Sequence, residues 1–156
     1  MNIQFEYDLA GKNRPSRDAQ YLMIADIIGL RGTCLRGKLG CVITQNNRIV
    51  STGYNGSLHG NNYCETTCDT RQPCIDSVHA EANAIAAAAR NGIKLEGGTL
   101  YCSQTPCYNC AKLIIQAGIK RVVYHTAYRD DSGLALLIEK GIKVELLKEE
   151  LKFRYE

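Results

Sequence analysis

The sequence predicts an α/β fold, a three-layer α/β/α domain with a mixed sheet of about five strands. Three observations carry that expectation. Short runs rich in Val, Ile, Tyr and Thr open with a hairpin and then alternate with helical segments. The helical segments are closed by glycines. Residues with metal-binding chemistry fall where an extended segment hands over to a helix. At 156 residues, the chain reads as a single domain over 1–156, long enough to bury about two-thirds of its unfolded surface.

Taken in order, residues 1–15 are polar and end in Asn13-Arg14-Pro15, the composition of a loose arm. Ser16 is a helix cap, and Ala19, Leu22, Met23, Ile27 and Leu30 recur at helical spacing behind it. Gly29 and Gly32 predict fraying before Cys34. Residues 39–44 and 48–53 read as strands, and Asn46-Asn47 between them has the turn chemistry of a hairpin. Residues 54–77 show neither helical nor strand periodicity, and a loop of that length calls for a function or a metal clip. A strong helix follows over 79–91, with Gly92 as its left-handed cap. Its alanine run, 86–89, predicts close approach of another layer. Residues 99–103 form a strand that delivers Pro106-Cys107 to a helix over 108–117, stopped at Gly118. A strand at 121–125, a helix at 132–140 ending at Gly141, a strand at 142–146 and a charged terminal helix at 148–155 complete the reading.

Charge is nearly balanced, with 19 basic against 16 acidic residues. That argues against a protein that coats nucleic acid, while leaving room for the few local cations a phosphorylated ligand needs. No apolar run is long enough for a membrane helix, and the first residues lack a basic-then-apolar export pattern, so the expected location is the cytoplasm. In that compartment 8 cysteines are metal ligands or buried thiols rather than disulfides.

Two stretches carry the chemistry. His79-Ala80-Glu81 offers an imidazole and a carboxylate, and Pro106-Cys107-Tyr108-Asn109-Cys110 offers two thiols spaced to reach one tetrahedral ion. Alone, the thiol pair also suits half of a structural zinc site or a thioredoxin-like redox pair. The His-Ala-Glu stretch alone suits an ordinary helix start. Together they supply three protein ligands, His79, Cys107 and Cys110, one fewer than a closed structural zinc needs. Such a site keeps a position for water and lowers that water's pKa toward ~7. Glu81 is then placed to handle the water's proton.

On these residues the chain resembles the deoxycytidylate (dCMP) deaminases of the zinc-dependent cytidine deaminase superfamily, whose signature is H-x-E followed by P-C-x-x-C. The resemblance runs over about residues 16–146. It rests on Thr33-Cys34-Leu35-Arg36, Ser51-Thr52-Gly53-Tyr54-Asn55-Gly56, Val78-His79-Ala80-Glu81, Pro106-Cys107-Tyr108-Asn109-Cys110 and the run 118–128. The zinc motif is shared with cytidine, guanine, riboflavin-pathway and tRNA adenosine deaminases, whereas the Thr-Gly-Tyr-Asn-Gly stretch looks like the dCMP branch.

The resemblance implies a catalytic zinc on His79, Cys107 and Cys110, Glu81 as proton shuttle, and conversion of dCMP to dUMP for thymidylate synthesis. It implies that Asn55 meets the sugar or phosphate end of the nucleotide and that Tyr128 lines the pocket. A turn role for Asn55 and a surface role for Tyr128 are the alternatives, and Tyr54 reads as packing. Cys34, Cys64, Cys68 and Cys74 lie apart from the catalytic trio; similar deaminases carry a second, structural zinc near the places of Cys34 and Cys64. Here Cys68 and Cys74 would complete a four-cysteine set, with free thiols as the alternative and His59 as a substitute ligand. Cys41 and Cys102 sit in strand patterns and read as core. Proteins of the family the chain resembles are often hexamers activated by dCTP and inhibited by dTTP, so the resemblance implies a homo-oligomer and an effector site by Arg90, although the helix dipole alone also favours an arginine there. Competing readings are a deaminase of 5-substituted dCMP, dCTP or adenosine in RNA, and a non-catalytic zinc-binding assembly protein of the same fold. Absent tryptophan and modest charge argue against RNA, and Glu81 against the non-catalytic reading.

Overall fold

The computed structural model describes residues 15–58 and 77–148. In chain order these form α1 (Arg17–Gly29), β1 (Gly40–Gln45), β2 (Arg48–Tyr54), β3 (Gly56–Ser57), β4 (Ser77–Val78), α2 (Ala80–Arg90), β5 (Thr99–Gln104), α3 (Tyr108–Gln116), β6 (Arg121–Thr126), α4 (Ser132–Glu139) and β7 (Lys143–Leu146). The polar arm at 1–14, the greater part of the long loop with His59, Cys64, Cys68 and Cys74, and all but the first residue of the expected terminal helix lie outside the described residues.

Local chemistry sets the element ends. Ser16 Oγ accepts from the Ala19 amide at 3.1 Å and starts α1. Asn46 and Asn47 adopt φ of 50° and 58°, the doubly left-handed turn that matches strand twist in a tight hairpin. Gly92, Gly118 and Gly141 follow three helices with φ of 65°, 76° and 74°, a conformation that costs glycine nothing.

Five strands pair in the order β2-β1-β5-β6-β7. β1 runs antiparallel to β2 and β5, while β5, β6 and β7 are parallel, so the sheet is mixed as expected. Alternation along each strand feeds two apolar layers. Val42, Tyr101 and Val123 point to α1, where they meet Tyr21, Leu22 and Ala25. Cys41, Ile43, Leu100, Cys102 and Val122 point the other way, onto Ala84 and Ala88 of α2, Ile114 of α3 and Leu137 of α4. Side chains of this size contribute about 1.5–3 kcal/mol each when fully buried. Cys41 and Cys102 are core residues, directly opposite each other across β1 and β5.

Three readings need correction. The buried face of α1 is Ala19, Tyr21, Leu22, Ala25 and Gly29, whereas Ile27 and Leu30 are exposed; α1 seats on the sheet through small residues that a hydrophobicity pattern overlooks. Of the alanine run only Ala88 is buried, and the close approach runs along Ala80, Ala84 and Ala88. The stretch read as irregular opens and closes with strands, since Gly56 pairs with Val78 and Ser57 with Ser77. No helix among the described residues is long and apolar enough to cross a membrane.

Candidate metal centre and substrate cleft

The parallel strands β5 and β6 end on one side of the sheet, where open α/β sheets place their crevice. β1 and β2 complete that edge, because antiparallel pairing brings the start of β1 and the end of β2 to it. A cleft of about 780 Å³ opens there, within the range of small-molecule sites. Its walls include Arg36, Gly37 and Leu39 before β1, Asn55 after β2, His79 and Glu81 at α2, Cys107 at α3, and Tyr128 beyond β6.

Both ligand-bearing helices begin at this edge. His79 is the cap residue of α2 and Cys107 that of α3, each with extended backbone and no side-chain capping bond, so both side chains are turned to the site. Helix N-termini favour the anionic form of groups placed on them. Two devices hold α2 in place. Ser51 Oγ donates to the Ala84 carbonyl at 2.6 Å and Asn83 Nδ2 to the Tyr54 carbonyl at 2.7 Å. Gly53 lets β2 touch the helix backbone, since a Cβ there would stand 2.5 Å from the Ala84 nitrogen. The β3–β4 pair delivers His79 beside Asn55.

His79 Nδ1 lies 3.4 Å from Cys107 Sγ and 3.6 Å from Cys110 Sγ. All three ligand atoms fall within 4.8 Å of one another. Tetrahedral zinc with ordinary Zn–N and Zn–S bonds requires a nitrogen–sulfur edge of about 3.6 Å, and both nitrogen–sulfur distances here match it. Cys107 is held at a pKa of about 3 by hydrogen bonds to Cys110 and His79, and Cys110 is driven up by its bond to Cys107 and by burial.

Glu81 is not one of the three ligands. Its side chain is buried, and desolvation raises its pKa, opposed by hydrogen bonds to its own backbone and to Cys110 and by the charge of His79. Desolvation thus favours the protonated form more than it would in an exposed carboxylate, the bias a group that must carry a proton needs.

Asn55 and Tyr128 both line the cleft with the metal trio. The Asn55 amide is buried and spans the lip, with Nδ2 donating to the Gly37 carbonyl and Oδ1 accepting from the Leu39 amide, both at 2.9 Å. Tyr128 is half-buried; its backbone amide donates to Thr105 Oγ1 at 2.7 Å, and the Arg129 guanidinium stands 5.6 Å from its ring centre. Cys34 is buried in the cleft wall. Arg90 is exposed in the last turn of α2 and is not among the cleft residues. Sequence reasoning assigned no role to Arg36 and Arg129, two exposed guanidinium side chains at the cleft, although Arg36 lies in a quoted motif and Arg129 adjoins Tyr128.

An α/β/α domain that gathers one imidazole, two thiols and a buried carboxylate at the starts of two helices defines the class of zinc-binding deaminase domains. The family model "Cytidine and deoxycytidylate deaminase zinc-binding region" matches residues 15–126, and the chain belongs to that family. It is 37% identical over 144 residues to a deoxycytidylate deaminase of Schizosaccharomyces pombe, a match covering 85% of this chain and 44% of the yeast protein. The chain thus spans less than half of that relative's length. A deoxycytidylate deaminase of Mycobacterium phage D29 is 39% identical over 127 residues, covering 72% of this chain and 96% of the phage protein. The crystal structure of the dCMP deaminase from cyanophage S-TIM5 in complex with dCMP and dUMP superposes with a TM-score of 0.78 at 31% identity, over 86% of this chain and 99% of that one.

Proposed function

We propose that the chain catalyses hydrolytic deamination of dCMP, consuming water and releasing dUMP and ammonia. The observation that carries this reading is the pairing of a three-residue N/S/S cluster with a buried carboxylate, Glu81, that stands outside the cluster. The membership of the family and the likeness to a dCMP deaminase that binds dCMP and dUMP support it.

His79, Cys107 and Cys110 would hold zinc, whose chemistry here is to activate water for attack on the amino-bearing ring carbon. Glu81 takes a proton from the attacking water and delivers it to ring nitrogen 3, then takes the remaining proton of the newly added hydroxyl and passes it to the amino group, so that ammonia leaves as the C–N bond breaks and the carbonyl forms. Burial keeps the carboxyl from being solvated in either state, so the same group serves both transfers. Asn55 and the lip it holds would bound the sugar and phosphate end, Tyr128 would form a wall of the base pocket, and Arg36 and Arg129 supply the positive charge that a 5′-phosphate calls for.

The same reading extends to a second, structural zinc on Cys34, Cys64, Cys68 and Cys74, to a cytoplasmic homo-oligomer, a hexamer by likeness to the resembled family, and to dCTP and dTTP as effectors near Arg90. The product would feed thymidylate synthesis. Ammonia release from cytosine nucleosides and their mono-, di- and triphosphates tests the central claim. The expected result is turnover of dCMP well above the nucleoside and triphosphate. Zinc-loaded protein that deaminates none of them would favour a non-catalytic zinc-binding protein instead.

A further inference from the structure

Gly133, in the first turn of α4, is buried against the backbone of the turn that presents Cys107. A Cβ at this position would stand 2.6 Å from the Cys107 carbonyl carbon and 2.8 Å from its oxygen, and closer still to the Pro106 carbonyl oxygen. Real Cβ atoms do not approach backbone below 3.0 Å. No turn geometry calls for glycine here, because the residue is helical and its φ is not in the left-handed range. Alanine would be favoured by about 1 kcal/mol on helix propensity alone. The close approach is therefore what the glycine serves.

The obstructed peptide cannot yield freely. Pro106 is fully buried, and the Cys107 carbonyl already accepts from the Ala111 amide at 2.9 Å, the first bond of α3. Restoring ordinary contact beyond 3.4 Å would move one backbone against the other by roughly an ångström. Metal–ligand bonds tolerate only about 0.2 Å. We propose that Gly133 is a positioning residue for the metal ligand Cys107: α4 seats its first turn on the Pro106–Cys107 peptide, and the missing side chain keeps Cys107 Sγ within reach of the ion shared with His79 and Cys110. This rests on the zinc reading of the site.

The test compares the parent chain with Gly133→Ala and with Leu137→Val, which disturbs a fully buried core residue one turn further along the same helix. Zinc affinity is measured by competition with a chromophoric chelator, ligand geometry by the thiolate-to-metal absorption of the cobalt(II) form, and stability by thermal melting. Gly133→Ala is expected to bind zinc roughly 10- to 100-fold more weakly with an altered cobalt spectrum, while Leu137→Val melts lower and keeps zinc affinity within about threefold of the parent. Should Gly133→Ala fail to fold, Asp130→Ala replaces it. That variant removes the acceptor holding the Ser132 amide at 2.9 Å and adds no bulk. It should weaken zinc at least threefold relative to Asp130→Asn, which keeps an acceptor. Equal zinc affinity in the parent and Gly133→Ala, a loss matched by Leu137→Val, or no difference between the Asp130 variants overturns the proposal. A parent chain that binds no zinc overturns the zinc reading itself, and the proposal with it.

Discussion

Asp18 at the start of α1 and Arg121 at the start of β6 form a two-point ion pair, Nη2 to Oδ2 at 2.6 Å and Nη1 to Oδ1 at 2.8 Å. Tyr101 Oη also donates to Asp18 Oδ1, at 3.0 Å, and Arg121 Nε reaches Glu145 on β7. At the other end of the same helix, His125 Nε2 meets Asp26 Oδ1 at 2.9 Å. α1, the one helix on its face of the sheet among the described residues, is thus pinned at both ends.

Removing the Asp18 charge while keeping its shape, in Asp18→Asn, should cost about 1–2 kcal/mol, more than a single exposed pair because the contact is two-pointed and partly buried. The hydrogen bond from Arg121 lowers the Asp18 pKa. A depressed carboxylate contributes stability that is present above the unfolded value near 4 and is lost as pH falls through the folded one. Urea unfolding from pH 7 downward should therefore separate parent and variant at neutral pH and narrow the gap as the pH falls below about 4. A constant gap would show that the charge is not what pins α1.

Glu81→Gln tests the proton shuttle. The amide retains size and burial, so fold and zinc content should match the parent. Deamination of dCMP should fall roughly 100- to 10,000-fold, since Glu81 is the buried carboxylate beside the metal trio and an amide cannot carry the proton. Turnover near the parent rate in zinc-replete protein would sink the assignment of Glu81.

The chain yields some of this to sequence reasoning and hides the rest for a physical reason. Ser16, the Asn46-Asn47 turn and the glycines after the helices act within a few residues of themselves, so their chemistry is local and visible. The trio of His79, Cys107 and Cys110 is legible because tetrahedral coordination demands particular atoms at particular spacings. Contacts made by missing side chains leave no such mark. The seat of α1 on Ala25 and Gly29, the touch of Gly53 on α2 and that of Gly133 on the Cys107 turn depend on partners distant in sequence. Strands of two residues, such as β3 and β4, are too short to show a period, so the link from Asn55 to His79 stayed hidden too.

The proposed second zinc site is open to elemental analysis. Residues 54–77 offer few apolar side chains, and ordering each residue costs about 1–2 kcal/mol of backbone entropy. A zinc held by four thiolates contributes on the order of 10 kcal/mol, a sizeable part of that cost. Two zinc ions per chain are expected, falling to one in the double variant Cys64→Ala/Cys68→Ala. A single zinc in the parent, or a content unmoved by the double variant, would leave Cys34 as an ordinary buried thiol.

Asn55 separates two roles that both place it in the cleft. Its amide is buried and committed at both ends, to the Gly37 carbonyl and the Leu39 amide, while its backbone pairs with Leu39 and Thr33. Asn55→Ala would strand one donor and one acceptor of the lip. At about 1–3 kcal/mol for each buried group, and with Gly37 and Leu39 both half-exposed and so partly rescued by water, the net cost should be about 2 kcal/mol. The lip carries Arg36, so its loosening should raise KM for dCMP more than it lowers kcat. Asn55→Asp is the sharper variant. It keeps the acceptor for the Leu39 amide but turns a carboxylate oxygen toward the Gly37 carbonyl, replacing a donor with a repulsive charge. If the amide works by holding the lip, Asn55→Asp should melt as low as Asn55→Ala or lower, with KM raised in both. If it works by touching the nucleotide alone, KM should rise while both variants melt with the parent. Unchanged melting and unchanged KM in Asn55→Ala would remove Asn55 from the site in either role.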